Sequence, residues 1–476
     1  MRRAKIVCTL GPATAGDQLD RLVAAGMDVA RLNMSHGDYP DHEARLAEVR
    51  AAAARARRAV AVFADLQGPK IRLKRFASSP VTLVSGATFT ITTDEVDGDV
   101  HRCSTTFKGL PGDVSPGDTI LVDDGRIELR ATEVTATDVV CEVVVGGPVS
   151  NNKGINLPGV AVSVPALSEK DTEDLRWALR NGVDLVALSF VRSAHDIRDV
   201  HRVMDEEGRR VPVIAKIEKP QAVENLDDII DAFDAFMVAR GDLGVELPLE
   251  EVPLVQKRVI RAARKWAKPV IVATQMLESM ISAPRPTRAE ASDVANAVLD
   301  GTDAVMLSGE TSVGAYPVEA VSVMSRIIAN VEEHGFAGIN EISWDPHTTG
   351  GVIAMAAAAI ANRLDARYLL AFSKSGDTAR RLSRLRAKIP LLCFTPSEAT
   401  RQELALAWGV TAYTTAEHSE IQDLLDEVDV VLGQEGLCDR GDRLVVVYGS
   451  PMGIPGKTNT LHVHRYHPRD GWDPID

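Results

Sequence analysis

Eight short, uninterrupted apolar runs recur along the chain with helical patterns between them, and this repetition constrains the fold more than any other feature. The runs cover residues 4–8, 29–32, 59–64, 185–188, 213–217, 235–238, 270–273 and 304–307. Apolar runs without alternation are typical of strands that are buried on both faces, as they are in parallel sheets. Eight such strands with intervening helices predict an α/β fold of the (β/α)₈ TIM-barrel type, and a doubly wound open sheet is the alternative.

The barrel pattern is interrupted after its third run by Val/Thr-rich segments that alternate in polarity and are separated by Gly/Asp turns. Residues 81–84, 88–92 and 119–125 are examples, and the pattern is typical of antiparallel hairpins. We therefore predict a small β-barrel lid domain inserted at residues 70–164. The larger barrel then comprises residues 1–69 and 165–340.

A third unit is predicted from residue 348 to residue 476. It opens with an Ala-rich amphipathic helix at residues 352–362, followed by apolar strands at 368–372, 391–394 and 444–448 and by a helix that begins at Thr378. Strands that alternate with helices predict a C-terminal α/β domain.

Charge and cysteine usage exclude several classes of protein. The net charge of −14 argues against nucleic acid or an anionic membrane as the main partner. Five scattered cysteines without a Cys-x-x-Cys pair indicate neither a disulfide framework nor a zinc site, and they fit a reducing cytoplasm. No apolar stretch reaches the length of a membrane span.

Polar and charged residues gather where the predicted barrel strands end, which is where barrel enzymes carry their active sites. The residues at these ends are Arg31, Asn33, Ser35, His36, Asp65, Ser189, Lys216, Glu218, Gly241, Asp242, Thr274, Gln275 and Ser308. Any one of them alone has an ordinary structural explanation, such as a helix cap or a turn. Because seven strands share the pattern, a common site is the better interpretation.

Lys216, Glu218 and Asp242 give that site its chemistry. Lys216 and Glu218 are two residues apart at the end of a strand, so their side chains point the same way, and Asp242 follows the next strand in a predicted turn. Two carboxylates can hold Mg²⁺ with positions left for water and substrate oxygens, and a lysine beside them suits a moving phosphoryl group. A Lys–Glu ion pair at a strand end is the structural alternative.

The chain resembles pyruvate kinases along its whole length. The stretches that carry the resemblance are residues 28–37, 215–218, 237–244, 273–280, 284–301 and 306–311. The order of barrel, inserted lid and C-terminal regulatory domain is also that of the family. The resemblance implies Mg²⁺-dependent (or Mn²⁺-dependent) transfer of a phosphoryl group from phosphoenolpyruvate to ADP, giving pyruvate and ATP.

The resemblance also implies roles for individual residues. Arg31 contacts the transferred phosphate, Lys216 stabilises the transition state, and Thr274 lies beside the enolate. Glu218 and Asp242 hold the divalent metal, with the Gly241 backbone near the substrate carboxylate. The nucleotide side is implied to comprise Asn33, Met34, Ser35, His36, Arg72 and Lys153. Because Lys153 belongs to the predicted lid, lid closure would complete the site.

One departure from the family pattern concerns K⁺. Many members hold K⁺ with an Asn, a Ser, an Asp and a Thr, and here Asn33, Ser35 and Asp65 match while Leu66 replaces the Thr. Lys70 stands where K⁺-requiring members carry a Glu. We predict a weak or vestigial K⁺ site whose charge is supplied by Lys70, and therefore no K⁺ requirement. The alternative is that Lys70 points to solvent and K⁺ still binds.

The loop after the first strand of the C-terminal domain is predicted to hold a phosphate. Ser373, Lys374, Ser375, Gly376 and Thr378 supply hydroxyls, an ammonium and free backbone N–H groups, and the family's corresponding loop holds an allosteric phosphate. Because Asp377 disfavours a second phosphate, the expected activator is a sugar monophosphate or AMP. The loop at residues 453–457 is expected to close over it, and an ordinary strand–helix turn is the alternative.

Two other functions compete with this interpretation. One is a different Mg²⁺-dependent barrel enzyme that stabilises a pyruvate enolate, such as an aldolase or a lyase. The other is an inactive barrel retained as a metabolite sensor. The family resemblance further implies a cytoplasmic homotetramer.

Overall fold

Eight parallel strands close into a barrel in the computed structural model, which describes residues 2–160, 162–342, 344–454 and 456–468. They are β1 (Lys5–Thr9), β2 (Val29–Asn33), β3 (Ala61–Asp65), β12 (Leu185–Leu188), β13 (Val213–Ile217), β14 (Ala235–Ala239), β15 (Val270–Ala273) and β16 (Ala304–Leu307). Their order around the barrel is β1-β16-β15-β14-β13-β12-β3-β2. The predicted TIM barrel is confirmed, and the open-sheet alternative is wrong.

The barrel strands are apolar on both faces because each face packs against other side chains. Phe63, Ile214 and Met237 point into the barrel interior, where they are fully buried. The alternate residues, such as Val62 and Val186, pack against the surrounding helices. Both faces are thereby removed from water, which is why these runs show no polar alternation.

Helices cover the outside of the barrel. They are α1 (Gln18–Ala25), α2 (Tyr39–Arg55), α4 (Glu169–Arg180), α5 (Ile197–Glu206), α6 (Pro220–Glu224), α7 (Leu226–Ala232), α8 (Arg240–Glu246), α9 (Val252–Lys265), α10 (Arg288–Leu299), α11 (Gly309–Ser312) and α12 (Pro317–His334). Reciprocal capping boxes start α4 at Ser168 and α10 at Thr287. Helix α1 ends at Gly26, whose φ of 125° favours glycine.

The inserted segment forms the lid domain. Its elements are β4 (Val81–Leu83), β5 (Thr88–Thr92), β6 (Arg102–Ser104), α3 (Leu110–Asp113), β7 (Thr119–Val122), β8 (Ile127–Val134), β9 (Asp138–Val145), β10 (Gly147–Val149) and β11 (Ile155–Asn156). Six strands form one sheet in the order β11-β7-β8-β9-β5-β6, and β10 pairs with β4. The domain has its own buried cluster, which includes Phe89, Ile120 and Leu129.

The C-terminal domain is a five-stranded sheet flanked by helices. Its elements are α13 (Thr349–Leu364), β17 (Tyr368–Phe372), α14 (Asp377–Ser383), β18 (Leu391–Thr395), α15 (Glu398–Glu403), β19 (Val410–Thr414), α16 (Ile421–Gln434), β20 (Arg443–Gly449) and β21 (Thr458–Arg465). The strand order is β19-β18-β17-β20-β21, and only β21 is antiparallel to its neighbour. The residue boundaries that we predict for the three domains remain predictions.

The beginning of the chain joins the barrel to the C-terminal domain. The backbone N–H groups of Arg3 and Ala4 donate to the Glu332 carboxylate on α12, each at 2.7 Å. The Gly409 N–H donates to the Arg3 carbonyl, and Lys5 Nζ donates to the Val410 carbonyl. Strand β1 is therefore held by elements that come more than 300 residues later. Among the described residues, no helix has the length and apolar character of a membrane span.

Candidate active site

Lys216 lies at the carboxyl end of β13 within a closely spaced group of oxygen atoms. Its Nζ donates to Ser189 Oγ at 2.7 Å and lies 2.7 Å from Glu218 Oε1 and 3.4 Å from Asp65 Oδ1. The three neighbours come from the ends of β12, β13 and β3. Although burial disfavours the ammonium, Asp65 and Glu218 outweigh it and raise the pKa of Lys216. Lys216 is therefore charged at neutral pH.

Arg31 adds a second positive charge beside the first. It projects from β2, and its Nε and Nη2 atoms each lie 2.7 Å from Asp65 Oδ2, while Nη1 donates to Thr9 Oγ1 at 3.1 Å. Asp65 is 1% exposed. Burial disfavours its carboxylate, but Lys216 and Arg31 hold its pKa below the usual value. Asp65 thus contacts both cations at the barrel mouth.

One backbone group and one cation hold the Glu218 carboxylate. Its Oε2 accepts a hydrogen bond from the Phe190 N–H at 2.9 Å, and its buried Oε1 lies 2.7 Å from Lys216 Nζ. Burial raises the pKa of Glu218, and the nearby Asp242 carboxylate adds to the rise. A divalent cation between the two carboxylates would relieve both effects. The residues present therefore fit Mg²⁺ or Mn²⁺.

The predicted turn around Asp242 is wrong, because residues Arg240–Glu246 form the short helix α8. Asp242 lies in its first turn and is exposed toward the barrel mouth. The two glycines of the segment, Gly241 and Gly244, mimic a turn in the sequence. The helix still forms because β14 leads directly into it and its buried residues Leu243 and Glu246 face the protein.

Thr274 and Gly241 meet at the opposite side of the same mouth. The Gly241 N–H donates to Thr274 Oγ1 at 2.8 Å, and that hydroxyl donates to the Ala273 carbonyl at 2.7 Å. Thr274 has a φ of 71° and Gln275 a φ of 55°, which is the left-handed region that β-branched residues rarely adopt. Backbone strain of this kind concentrates at functional sites. The two hydrogen bonds hold the Thr274 hydroxyl in place.

A cavity of about 340 Å³ separates the barrel mouth from the lid. Its charged lining includes Lys70, Arg72, Asp123, Lys153, Lys219 and Asp242. Lys153 Nζ lies 2.8 Å from Asp123 Oδ1, so this lysine is paired within the lid. Asn156 Nδ2 donates across to Glu246 Oε1 on the barrel at 3.1 Å. The cavity offers more cations than anions and is suited to a polyanionic ligand.

The loop after β2 contacts Lys70, which lines this cavity. Its Ser35 Oγ accepts a hydrogen bond from Lys70 Nζ at 3.3 Å, and the Ser35 N–H donates to Asn33 Oδ1 at 3.2 Å. Burial lowers the pKa of His36, and Lys70, Arg31 and Arg72 lower it further, so His36 is neutral. Met34 is buried.

Leu66 is also buried, with an exposure of 1%. It follows Asp65 directly, at the position where K⁺-holding members of the resembling family carry a Thr. An apolar side chain at this position offers no oxygen to a cation.

A second cavity lies in the C-terminal domain, beside the loop that joins β17 to α14. Ser373, Lys374, Ser375 and Thr378 line it together with Lys457. Thr378 Oγ1 and Thr458 Oγ1 are 2.6 Å apart, and Lys374 Nζ lies 2.6 Å from Glu417 Oε1. Gly376 has a φ of 74°, and a Cβ there would lie 2.9 Å from Arg380 Nη1. In the predicted covering loop, residue 455 lies outside the described residues.

Several site residues carry no signal that sequence reasoning could separate from ordinary structure. Ser189 appears in the sequence only as a polar residue at a strand end, yet it bonds Lys216. Asp123 pairs with Lys153 from an Asp-Asp-Gly turn, and Thr9 orients Arg31 from the end of β1. The Phe190 N–H that holds Glu218 is a backbone group with a φ of 56°.

The chain is similar to known proteins over nearly its whole length. The family model described as pyruvate kinase, barrel domain, matches residues 1–321, and that described as pyruvate kinase, alpha/beta domain, matches residues 352–464. The chain is 60% identical over 464 residues to a pyruvate kinase of Corynebacterium glutamicum, covering 97% of each chain. It is 59% identical over 465 residues to one of Mycobacterium tuberculosis, covering 98% of each. The crystal structure of a pyruvate kinase from Cryptosporidium parvum matches with a TM-score of 0.91 and 35% identity, covering 98% of this chain and 96% of that one.

Proposed function

The chain belongs to the pyruvate kinase family, and from that premise we propose that it transfers the phosphoryl group of phosphoenolpyruvate to ADP. The bond between phosphorus and the enol oxygen breaks, and a bond to the terminal phosphate oxygen of ADP forms. The enolate that remains takes one proton at its methylene carbon and becomes pyruvate. The observation that carries the proposal is Lys216, fixed by Ser189, Asp65 and Glu218 at the barrel mouth.

Lys216 and Arg31 act on the moving phosphoryl group. In the transition state charge is spread over its three outer oxygens and develops on the leaving enol oxygen, so cations fixed beside these oxygens stabilise it. Arg31 can present a planar guanidinium to these oxygens, whereas Lys216 acts as a compact point charge. Both are already oriented by Asp65, so little reorganisation accompanies the reaction.

Glu218 and Asp242 are the residues that would hold Mg²⁺ or Mn²⁺. Two carboxylates at the barrel mouth support this assignment: that of Glu218, whose Oε1 contacts Lys216, and that of Asp242, which lines the cavity. When bound, the metal supplies Lewis-acid stabilisation of the oxygens of substrate and phosphate.

Thr274 and Gly241 serve the enolate end of the substrate. The Thr274 hydroxyl is held by two backbone partners and would position the proton that reaches the methylene carbon. The backbone of Gly241, which presents no side chain, allows the substrate carboxylate to approach closely.

The cavity under the lid is the proposed ADP site. Arg72 and Lys153 line it, and in this proposal Asn33, Met34, Ser35 and His36 contribute to the nucleotide side from the barrel. In this proposal Lys153 leaves Asp123 when the nucleotide phosphates arrive, and lid closure excludes water.

We further propose that the enzyme works without K⁺. The contact between Lys70 Nζ and Ser35 Oγ at 3.3 Å supports it, because the ammonium reaches one member of the Asn33, Ser35 and Asp65 set. Buried Leu66 removes the fourth ligand.

Regulation is proposed at the cavity lined by Ser373, Lys374, Ser375 and Thr378, with Gly376 in the same loop. A phosphorylated small molecule, such as a sugar monophosphate or AMP, would pair there with Lys374. Asp377 is paired with Arg381 at 2.6 Å, which offsets part of the repulsion toward a second phosphate. From the resemblance to the family, we also propose that the protein is a homotetramer in the cytoplasm.

One assay separates the proposed reaction from its alternatives. Pyruvate formation from phosphoenolpyruvate is followed with Mg²⁺, in the presence and absence of ADP. We expect pyruvate and ATP in equal amounts only when ADP is present. Pyruvate without ADP would indicate a lyase or phosphatase, and no pyruvate under either condition would indicate an inactive barrel.

A further inference from the structure

Five basic residues converge where the lower end of the barrel meets the C-terminal domain, far from the strand ends that form the active site. Arg264 comes from the end of α9 and Lys268 from the segment between α9 and β15, whereas Arg380, Arg384 and Arg386 come from α14 and the loop after it. Within the described part of the chain, Asp303 is the single acidic residue that lines the cavity between them. We call this group the junction cluster.

Three of the four arginines of the junction cluster are deeply buried. Arg264, Arg384 and Arg386 are 3%, 4% and 6% exposed. Among the described residues, Arg386 alone of these three forms an ion pair, at 3.1 Å to Asp303. Burial lowers the pKa of Arg264 to about 9, with Arg386 adding to the effect, and burial lowers that of Arg384 to about 10. Buried positive charge is costly unless an anion accompanies it.

Most hydrogen bonds of the cluster go to backbone carbonyls, which carry no net charge. Arg264 Nη1 donates to Asn340, Arg384 Nη1 to Lys265, and Arg386 Nη2 to Gly301, over distances of 2.7–3.0 Å. Stacking on aromatic rings offsets a further part of the cost. The Arg384 guanidinium lies 3.4 Å from the centroid of Trp344, and that of Arg386 lies 4.7 Å from the centroid of Trp408.

Four buried nitrogen atoms in the cluster still have no hydrogen-bond partner within the part of the chain that the structure describes. They are Nε of Arg264, Nε and Nη2 of Arg384, and Nε of Arg386. Buried N–H groups of charged side chains are almost always satisfied, and an exception calls for a missing acceptor. Three arginines from two domains share this property around one cavity.

We propose that the junction cluster binds one small inorganic anion and that this anion ties the barrel to the C-terminal domain. The cavity has a volume of about 10 Å³, which is close to the smallest that holds one water-sized group. A chloride ion, which is somewhat larger than a water molecule, would occupy the cavity and part of its open side, and an orthophosphate would place one oxygen inside and the others toward the open side. The site is separate from the proposed substrate, nucleotide and effector sites.

The test uses the full chain and two probes, chloride and orthophosphate, with a bulky organic anion keeping the ionic strength constant. Chloride binding is followed by the line width of ³⁵Cl in NMR spectra, and orthophosphate is then added as competitor. The thermal midpoint is measured in the same titrations. We expect saturable line broadening that orthophosphate removes, and a thermal midpoint that rises with either anion.

Amino-acid substitutions show whether the ³⁵Cl line broadening comes from the junction cluster. Arg384→Gln should reduce the excess line width at least fivefold, and Arg384→Lys should retain part of it. Lys268→Gln, at the half-buried rim, should weaken binding without threatening the fold. Lys216→Met removes an active-site cation, and Arg202→Gln removes an exposed one on α5; both should leave the signal unchanged. Broadening that Lys216→Met abolishes, or that survives both Arg384→Gln and Lys268→Gln, overturns the proposal, as does the absence of any saturable response.

Discussion

Lys216 illustrates how a buried charge is prepared for a reaction before any ligand arrives. Ser189, Asp65 and Glu218 surround its ammonium, so it is fully charged and immobile. Removing it leaves two carboxylates without their shared partner, and it removes the charge that is most useful when the phosphoryl group is in transit. Its contribution is therefore expected in turnover more than in ground-state binding.

Lys216→Met is expected to lower kcat by about 10²–10³-fold or more while phosphoenolpyruvate and the divalent metal still bind. Steady-state kinetics give kcat, and equilibrium titration of Mn²⁺ with and without phosphoenolpyruvate gives binding. Lys257→Met, on α9 and away from the barrel mouth, serves as the control. A Lys216→Met protein with turnover near that of the unaltered enzyme would contradict the role assigned to this lysine.

Lys70→Glu is expected to convert a K⁺-independent enzyme into a K⁺-dependent one. The change replaces the ammonium near Ser35 by a carboxylate, and it alters the local charge by two units among the substrate phosphates. Turnover is compared in K⁺-free, tetramethylammonium-balanced buffer and after addition of K⁺. Lys74→Glu makes the same charge change in the lid and should not create a K⁺ requirement. An unaltered enzyme that is nearly inactive without K⁺ would refute the idea.

Sequence reasoning placed the charged residues of the site at the strand ends because strand direction and charge can both be read from sequence. It did not identify Ser189, Asp123 or the Phe190 backbone as partners. A single Ser after a strand or an Asp in a turn has the same pattern whether it caps a helix or holds a lysine. Those roles depend on which strands become neighbours, such as β12 beside β13, and this information is not local.

At the scale of elements, the loop between β17 and α14 carries the proposed effector site. Lys374 is exposed and paired with Glu417, so in the free protein the ammonium is occupied by an acid that a phosphate would displace. The cost of breaking such a surface pair is small. In the proposed regulation, the phosphate of the effector therefore replaces Glu417 as the partner of Lys374.

Lys374→Gln is expected to reduce activation by a sugar monophosphate or AMP at least several-fold, with basal activity unchanged. The measurement is the concentration of effector that gives half-maximal activation at subsaturating phosphoenolpyruvate. Arg440→Gln, an exposed change in the same domain, is the matched control. Strong activation of the unaltered enzyme by fructose 1,6-bisphosphate alone would contradict the preference for a monophosphate.

The apolar runs predict the barrel strands well because burial on both faces gives them an unmistakable composition. Strand β19 was not predicted, since it lies at the edge of its sheet and its residues Thr411–Thr414 are only partly buried or exposed. Helix α8 was predicted as a turn because Gly241 and Gly244 dominate its sequence. In both cases the tertiary surroundings, and not local composition, decide the structure.

At the scale of the whole molecule, the contact between the barrel and the C-terminal domain contains a titrating group. Glu403, on α15, is partly buried there, and burial raises its pKa to about 7. Arg380 opposes the rise, while Asp184 and Asp234 add to it. The folded protein thus binds this proton more tightly than the unfolded chain does. The resulting stability is fully present below about pH 4.5 and is lost as the pH rises through about 7.

Glu403→Gln is expected to remove this component of the pH dependence. The thermal midpoint of the unaltered protein should fall by a few degrees between pH 5.5 and pH 8, and the variant should exceed it at pH 8 but not at pH 5.5. Glu398→Gln, an exposed change on the same helix, should follow the unaltered protein. Parallel pH curves for Glu403→Gln and the unaltered protein would show that Glu403 titrates normally.

Strand β1 pairs with β16, and the N–H groups of Arg3 and Ala4 donate to Glu332, so these contacts can form only late in synthesis of the chain. The partners of β1 on that side leave the ribosome roughly 300 residues later, which at about 5–20 residues per second is about 15–60 s. Until then β1 presents an unpaired edge, whereas the lid, with its own buried cluster, can fold in the meantime. A nascent chain of this enzyme therefore carries a finished insertion inside an open barrel, and the barrel closes only when its eighth strand, β16, is released.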